Sequence, residues 1–171
     1  MVEIYTNLIV CSAEDYLSLG DNDNYSVAFC AKSPFHQWLV GYKGNLDKHH
    51  PEYLIAKRPD RNMIAANLVD VDRDGFVSDS IIKELINFID EELAKHKLVL
   101  LVCNQGQSRS SSVGLMYLIH KGMFLDCNSF DEVEREYSKI QPNHHPNLGM
   151  RIYTKRFWER AVGMEEKYIY G

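Results

Sequence analysis

The sequence has little of what would mark several large classes of protein. Its four cysteines (Cys11, Cys30, Cys103 and Cys127) show no paired spacing, which speaks against a disulfide framework and against a zinc site. No Pro-, Gly- or Ser-rich tract divides the chain, and no internal repeat or low-complexity segment is present. The longest apolar run, Leu98–Cys103, is far too short to span a bilayer. Positive charge is not in excess: 19 Lys and Arg against 24 Asp and Glu leave a net charge of −5, with a pI near 5.8. No nucleic-acid partner held by a general basic field is therefore expected. Met1–Ile9 is polar or charged at several positions and does not read as a signal peptide. Together these absences lead us to expect a cytoplasmic protein with reduced thiols and no membrane association. Its 171 residues suit one domain, 1–171, with one sizeable core.

What is present is an alternation of short apolar runs and helical patterns. Glu3–Cys11, Tyr25–Ala31 and Asn62–Val69 read as strands, with Ala13–Leu19 a short helix and Phe35–Tyr42 another. Gly44–Arg61 is polar, contains two prolines and reads mainly as surface loop. Ile81, Ile82, Leu85, Ile86, Phe88, Ile89 and Leu93 recur at helical spacing, with Ser78 or Asp79 placed to cap the start. Lys97–Val102 is short and continuously apolar, as a central strand covered on both faces should be. Helices follow at Arg109–Lys121, after Ser129-x-x-Glu132 (a capping box), and over Leu148–Val162. The pattern is α/β: a central, mostly parallel sheet flanked by helices, with the C-terminal helices stacked on one side.

The chemistry concentrates in LLVCNQGQSRSSSVG, Leu100–Gly114. A buried strand stops at Cys103, a short loop follows, and a helix begins near Arg109. Open α/β sheets bind ligands at this place, the carboxyl end of a strand. Unpaired N–H groups at a helix start attract an anion, and Gly106 lets the loop curl so that the amides of Asn104, Gln105, Gly106, Gln107 and Ser108 can face one centre. The same field and a neighbouring guanidinium stabilise a thiolate at Cys103. Arg109 has the planar fork that grips two oxygens of a phosphate, and Ser110 can donate its hydroxyl to the sulfur. Nucleophile, anion cradle and clamp thus fall within one turn of chain. The bland alternative is a buried structural cysteine before an ordinary strand–helix turn.

A second stretch, VDVDRDGFVS (Val69–Ser78), has two readings. Asp70, Asp72, Asp74 and Gly75 have the D-x-D-x-D-G spacing that opens a calcium loop. The twelfth position, however, is Ile81 where a bidentate Glu should sit, and a strand rather than a helix precedes the loop. The other reading makes one of these aspartates a proton donor, and the rest a solvated acidic turn.

CNQGQSRS (Cys103–Ser110) resembles the signature loop of the cysteine-dependent protein tyrosine phosphatases, in particular the dual-specificity branch with its C-x-x-G-x-S-R-S form. EIYTNLIVCSAEDYL (Glu3–Leu17) is similar to that family's opening strand and short helix, and the helix around INFIDEEL (Ile86–Leu93) leads into the signature strand as it does there. PNHHPNLGM (Pro142–Met150) resembles the turn before the family's last helix. One position departs: Val102 stands where the family usually has a histidine. The resemblance implies that a loop about thirty residues before the cysteine supplies the general acid. Asp72 lies 31 positions before Cys103 (103 − 72) and fits that spacing better than Asp70 at 33 or Asp74 at 29.

The implied activity is hydrolysis of phosphorylated tyrosine, with serine and threonine esters as a further class, through a phosphocysteine intermediate. The substrates are phosphorylated proteins, and no cofactor or metal is called for. Gln105 and Gln107 stand where added lysines would be expected for a phosphoinositide enzyme. Two other readings remain: a phosphate-recognising binding module with little or no turnover, suggested by Val102, and another thiolate chemistry such as sulfur transfer or arsenate reduction. His49–His50 and His144–His145 read as exposed loop residues, and Lys32–His36, which follows a strand end, as a plain surface turn in preference to a border of the active face. Cys11, Cys30 and Cys127 read as packed thiols, with a reversible disulfide to Cys103 conceivable for any of them.

Overall fold

A strand that is apolar at every position needs partners on both edges and cover on both faces, and the architecture supplies all four to Leu98–Cys103. In the computed structural model, which describes residues 1–20 and 23–163, the chain opens with strands β1 (Val2–Tyr5) and β2 (Leu8–Ser12), then helix α1 (Ala13–Leu19) and strand β3 (Tyr25–Phe29). Helix α2 (Gln37–Val40), strands β4 (Ile55–Arg58) and β5 (Met63–Ala66), and the long helix α3 (Asp79–Ala94) follow. Strand β6 (Leu98–Cys103) and helices α4 (Arg109–His120), α5 (Phe130–Ile140) and α6 (Leu148–Ala161) complete the fold.

The sheet order is β1-β2-β6-β3-β5-β4. The three central pairings are parallel, and the two edge strands β1 and β4 pair antiparallel. The sheet is therefore mixed, with the expected parallel core. One run expected as a single strand, Glu3–Cys11, is in fact two, because Asn7 takes a left-handed conformation (φ 63°) that turns the chain. The polar stretch 44–61 contains the edge strand β4, whose alternation of buried and exposed positions is too short to read as a period. Lys32–His36 is not a plain surface turn. It carries a cis Ser33–Pro34 peptide and buries Phe35 and His36, whose imidazole bonds the Tyr42 hydroxyl and the Glu52 carbonyl.

Helix α3 packs the stripe Ile81, Ile82, Leu85, Ile86 and Ile89 on the sheet, as its periodicity predicts. Ser78 is its N-cap residue by position, although its side chain makes no cap hydrogen bond. Helix α5 starts at Ser129, whose Oγ accepts from the Glu132 amide at 3.2 Å, while the Glu132 carboxylate reaches the Asn128 amide rather than that of Ser129. The capping motif is thus present but displaced by one residue. No helix among the described residues is long and apolar enough to cross a membrane.

Leu85, fully enclosed between α3 and the sheet, carries much of this contact. Leu85→Ala is expected to cost about 2–5 kcal/mol of stability, read as a lower urea midpoint with an unchanged denaturant slope.

Candidate active site

Strands β2, β6 and β3 run parallel, so all three release the chain at the same edge of the sheet. Because β6 lies between the other two, the loop after Cys103 emerges in the middle of that edge. Gly106 allows it to turn. Its φ is +71°, and a Cβ there would lie 2.9 Å from the carbonyl carbon of Cys11, so the loop rests directly on β2 backbone. The loop closes at Ser108, and α4 begins at Arg109.

A cavity of about 480 Å³ opens over this loop. Cys103, Asn104, Gln105, Gln107, Ser108 and Arg109 form one wall and the floor. Asp70 and the turn His145–Asn147 form the rest. Of the residues expected to cradle an anion, Gly106 alone does not line the cavity, because it faces Cys11. Ser110 lies fully buried beneath, its Oγ 3.0 Å from Cys103 Sγ. Arg109 donates from Nη1 to the Leu68 carbonyl at 3.2 Å, whereas its buried Nε makes no hydrogen bond. The nearest carboxylate oxygen, Asp70 Oδ2, is 3.9 Å from that nitrogen, too far for a hydrogen bond. A buried guanidinium N–H with no hydrogen-bond partner beside a polar cavity is a donor available to an anion.

The carboxylate in this cavity is Asp70. Asp72, expected there from its spacing, is exposed and does not line it. The cause lies in how the turn before α6 holds the acidic loop. Asn147 donates from Nδ2 to the Asp70 carbonyl at 3.3 Å, and the Gly149 amide donates to the Val71 carbonyl at 3.1 Å. A Cβ at Gly149 would fall 2.2 Å from the Val71 carbonyl oxygen and 2.7 Å from that of Arg73, so only glycine admits this approach. With the backbone pinned at residues 70 and 71, Asp70 faces the cavity and the chain has moved past it by Asp72. Asp70 Oδ1 accepts from Ser108 Oγ at 2.8 Å, and that same Oγ accepts from the Asn147 amide at 2.8 Å. Asp74 pairs instead with Arg156. Asp70 and Asp74 therefore serve separate partners, and among the described residues the three aspartates form no common metal-binding group.

The signature loop is also braced from behind, by residues that its own sequence does not reveal. Gln141 donates to the Gly106 carbonyl at 3.4 Å, and the His145 amide donates to the Gln107 carbonyl at 2.9 Å. His144, expected to be exposed, is buried: Nδ1 lies 2.7 Å from Ser111 Oγ in the first turn of α4, and the ring packs edge-on against Tyr137 with centroids 4.9 Å apart. Burial, aided by the neighbouring His145, lowers its pKa to about 4, so the ring is neutral. The two adjacent histidines gave no apolar signal that would separate the buried one from the exposed one. Val102, in the position before the cysteine, is fully buried in the core.

Cys30 follows β3, and its amide donates to the Val102 carbonyl at 2.7 Å. Burial raises the Cys30 thiol well above its usual range, with Cys103 adding to the shift. Burial likewise raises Cys11 to about 12. All four cysteines are free thiols, and Cys127 is only partly buried.

No family model matches the sequence. Among curated proteins it is similar to human dual specificity protein phosphatase 9, with 37% identity over 86 residues. The match takes in 50% of this chain but only 21% of that protein's length. Among solved structures it is similar to OH1 from the Orf virus, described as a tyrosine phosphatase with triple substrate specificity, at a TM-score of 0.60 and 16% identity over 95% of this chain and 87% of that one. The structure of DUSP15 aligns at a TM-score of 0.59 and 18% identity, covering 98% and 95% of the two chains. The fold is thus that of the cysteine-dependent tyrosine phosphatases. Over the matched half of the chain, the sequence is similar to a dual-specificity phosphatase.

The neutral His144 gives the site a pH dependence of known sign. Its folded pKa of about 4 lies below the ordinary 6.5, so the unfolded chain takes up the proton first as pH falls. The stability it contributes is complete above pH 6.5 and is lost as pH drops from there through 4. The loss is on the order of 3 kcal/mol. Urea midpoints of wild type and His144→Gln measured across this range should converge toward the acid end.

Proposed function

We propose that the protein is a phosphomonoester hydrolase that works through a phosphocysteine intermediate, on phosphorylated tyrosine and on serine and threonine esters of phosphoproteins. The observation that carries this reading is the cavity itself. It sets Cys103, Arg109 with an Nε that makes no hydrogen bond, and Asp70 around one space at the start of a twelve-residue helix. A pure phosphate-binding module has no use for a thiol at its floor or for a carboxyl facing a dianion.

In the first step Cys103 Sγ attacks phosphorus in line, and the bond from phosphorus to the ester oxygen breaks. The Arg109 fork and the loop amides hold the non-bridging oxygens as charge builds on them. Protonated Asp70 gives its proton to the departing oxygen, which tyrosine and still more serine require at neutral pH. We assign this role to Asp70 in place of Asp72 because Asp70 is the carboxyl that lines the cavity. In the second step Asp70, now ionised, takes a proton from water as that water attacks phosphorus. The sulfur–phosphorus bond breaks, and Ser110 Oγ, 3.0 Å from the sulfur, steadies the thiolate that leaves. No step calls for a metal. A reducing, cytoplasmic setting suits the enzyme, because the nucleophile must remain unoxidised.

Phosphate release from a small aryl phosphate in the presence of EDTA tests this directly. Wild type should turn over, and Cys103→Ser should not. Asp70→Asn should lower kcat by about 10²–10⁴-fold, with Asp72→Asn within a few-fold of wild type. The reverse order of the two asparagine variants would return the proton donor to Asp72. A folded wild type that binds phosphate without releasing it from any ester would make this a binding module.

A further inference from the structure

The loops on either side of the signature loop build a second, apolar site that the chemistry above does not use. Since β6 lies between β2 and β3, the segments leaving those strands at the same edge, α1 and Lys32–Val40, flank Cys103 on both sides. They meet over the end of the sheet in a groove of about 450 Å³. Its walls are Ala13, Tyr16 and Leu17 from one segment and Pro34, Phe35 and Trp38 from the other. Leu17 is 71% exposed and Trp38 52% exposed, unusual for large apolar side chains brought side by side.

Aromatic contacts floor the groove. Phe29 stacks on Phe35 with ring centroids 4.5 Å apart, and meets Tyr16 at 5.1 Å and Trp38 at 6.1 Å edge to face. The Arg61 guanidinium covers the Trp38 ring at 5.3 Å. The groove is also tied to the loop that lines the cavity over Cys103. Ser12 lies opposite Cys103 in the β2–β6 register, and the next amide, Ala13, donates to the Asn104 carbonyl of the signature loop at 3.1 Å. From Ala13 to Leu17 is about 6 Å along the helix axis at ~1.5 Å per residue. An extended peptide advances about 3.3 Å per residue. About two residues of extended peptide therefore match the length of the wall that α1 gives the groove.

We infer that this groove is a specificity subsite that takes an apolar side chain, of leucine or phenylalanine size, from the phosphoprotein segment whose phosphate lies over Cys103. The inference rests on the phosphatase reading and narrows its substrates to sites flanked by an apolar residue. Two other occupants suit the surface less well. A stable self-association buries about 20–30 residues a side, and this groove is lined by seven. A membrane surface is disfavoured by Glu14 and Asp15 on α1 and by the net charge of −5.

The test uses phosphotyrosine peptides in a polar background, with one phenylalanine walked through the positions on either side of the phosphotyrosine. A small aryl phosphate, which does not extend to the groove, serves as the control substrate. Wild type should prefer peptides with phenylalanine two or three positions away by about tenfold in kcat/KM, a step expected when one side chain leaves water. Leu17→Glu and Trp38→Ala should flatten that preference to near unity while aryl phosphate turnover persists. Because Leu17 is exposed, its substitution leaves folding intact, and the control turnover verifies this. A wild type that hydrolyses every peptide equally overturns the subsite. So does a concentration-dependent dimer that Leu17→Glu abolishes, or binding to acidic or neutral lipid vesicles that the same variant abolishes. Absence of turnover on the aryl phosphate itself would instead overturn the phosphatase reading on which the inference rests.

Discussion

Everything at the reactive edge of this protein depends on the burial of β6 between two parallel neighbours. A strand with no exposed face and no free edge has one way to release its chain, at its carboxyl end. There the loop must turn within a few residues into a helix that returns across the sheet. That forces Cys103 to the floor of a depression and sets the N-terminal amides of α4 over it. It also brings the segments after β2 and β3 to either side, so the phosphate cavity and the apolar groove are two results of one strand order. The close rest of Gly106 on the Cys11 carbonyl keeps the loop from lifting off that edge.

The second organising contact is the Ser108 hydroxyl. It donates a hydrogen bond to Asp70 and accepts one from the Asn147 amide, joining three segments distant in sequence: the acidic loop, the loop after Cys103 and the start of α6. Gly149 presses the same acidic loop against α6. These contacts decide which aspartate enters the cavity. They also make α6, far from the cysteine in sequence, part of the site's geometry.

The position before Cys103, where the resemblance of the loop leads one to expect a histidine, is Val102, sealed in the core. The bracing of the loop comes instead from the connection between α5 and α6, through Gln141, His144 and the His145 amide. A neutral buried imidazole is well suited to this, since it can hold Ser111 without introducing charge next to an anion site.

Much of the fold was legible in the order of residues. Continuous apolarity marked β6 and a helical stripe marked α3, and Cys103, Gly106, Arg109 and Ser110 stood out because a thiol, a turn glycine, a guanidinium and a hydroxyl fall within eight residues. Local signals of this kind survive in sequence because neighbours in the chain are neighbours in space. The choice of Asp70 over Asp72, the burial of His144 but not His145, the strand hidden in 44–61 and the groove between α1 and Trp38 were not legible. Each was settled by packing that no local pattern encodes: the Gly149 approach, the Ser111 hydroxyl and Tyr137 ring, pairing with β5, and the β2-β6-β3 order. Spacing along a chain counts residues, whereas a carboxylate reaches a cavity only if the backbone beneath it is pinned to face that way, and that pinning is a property of the packed molecule alone.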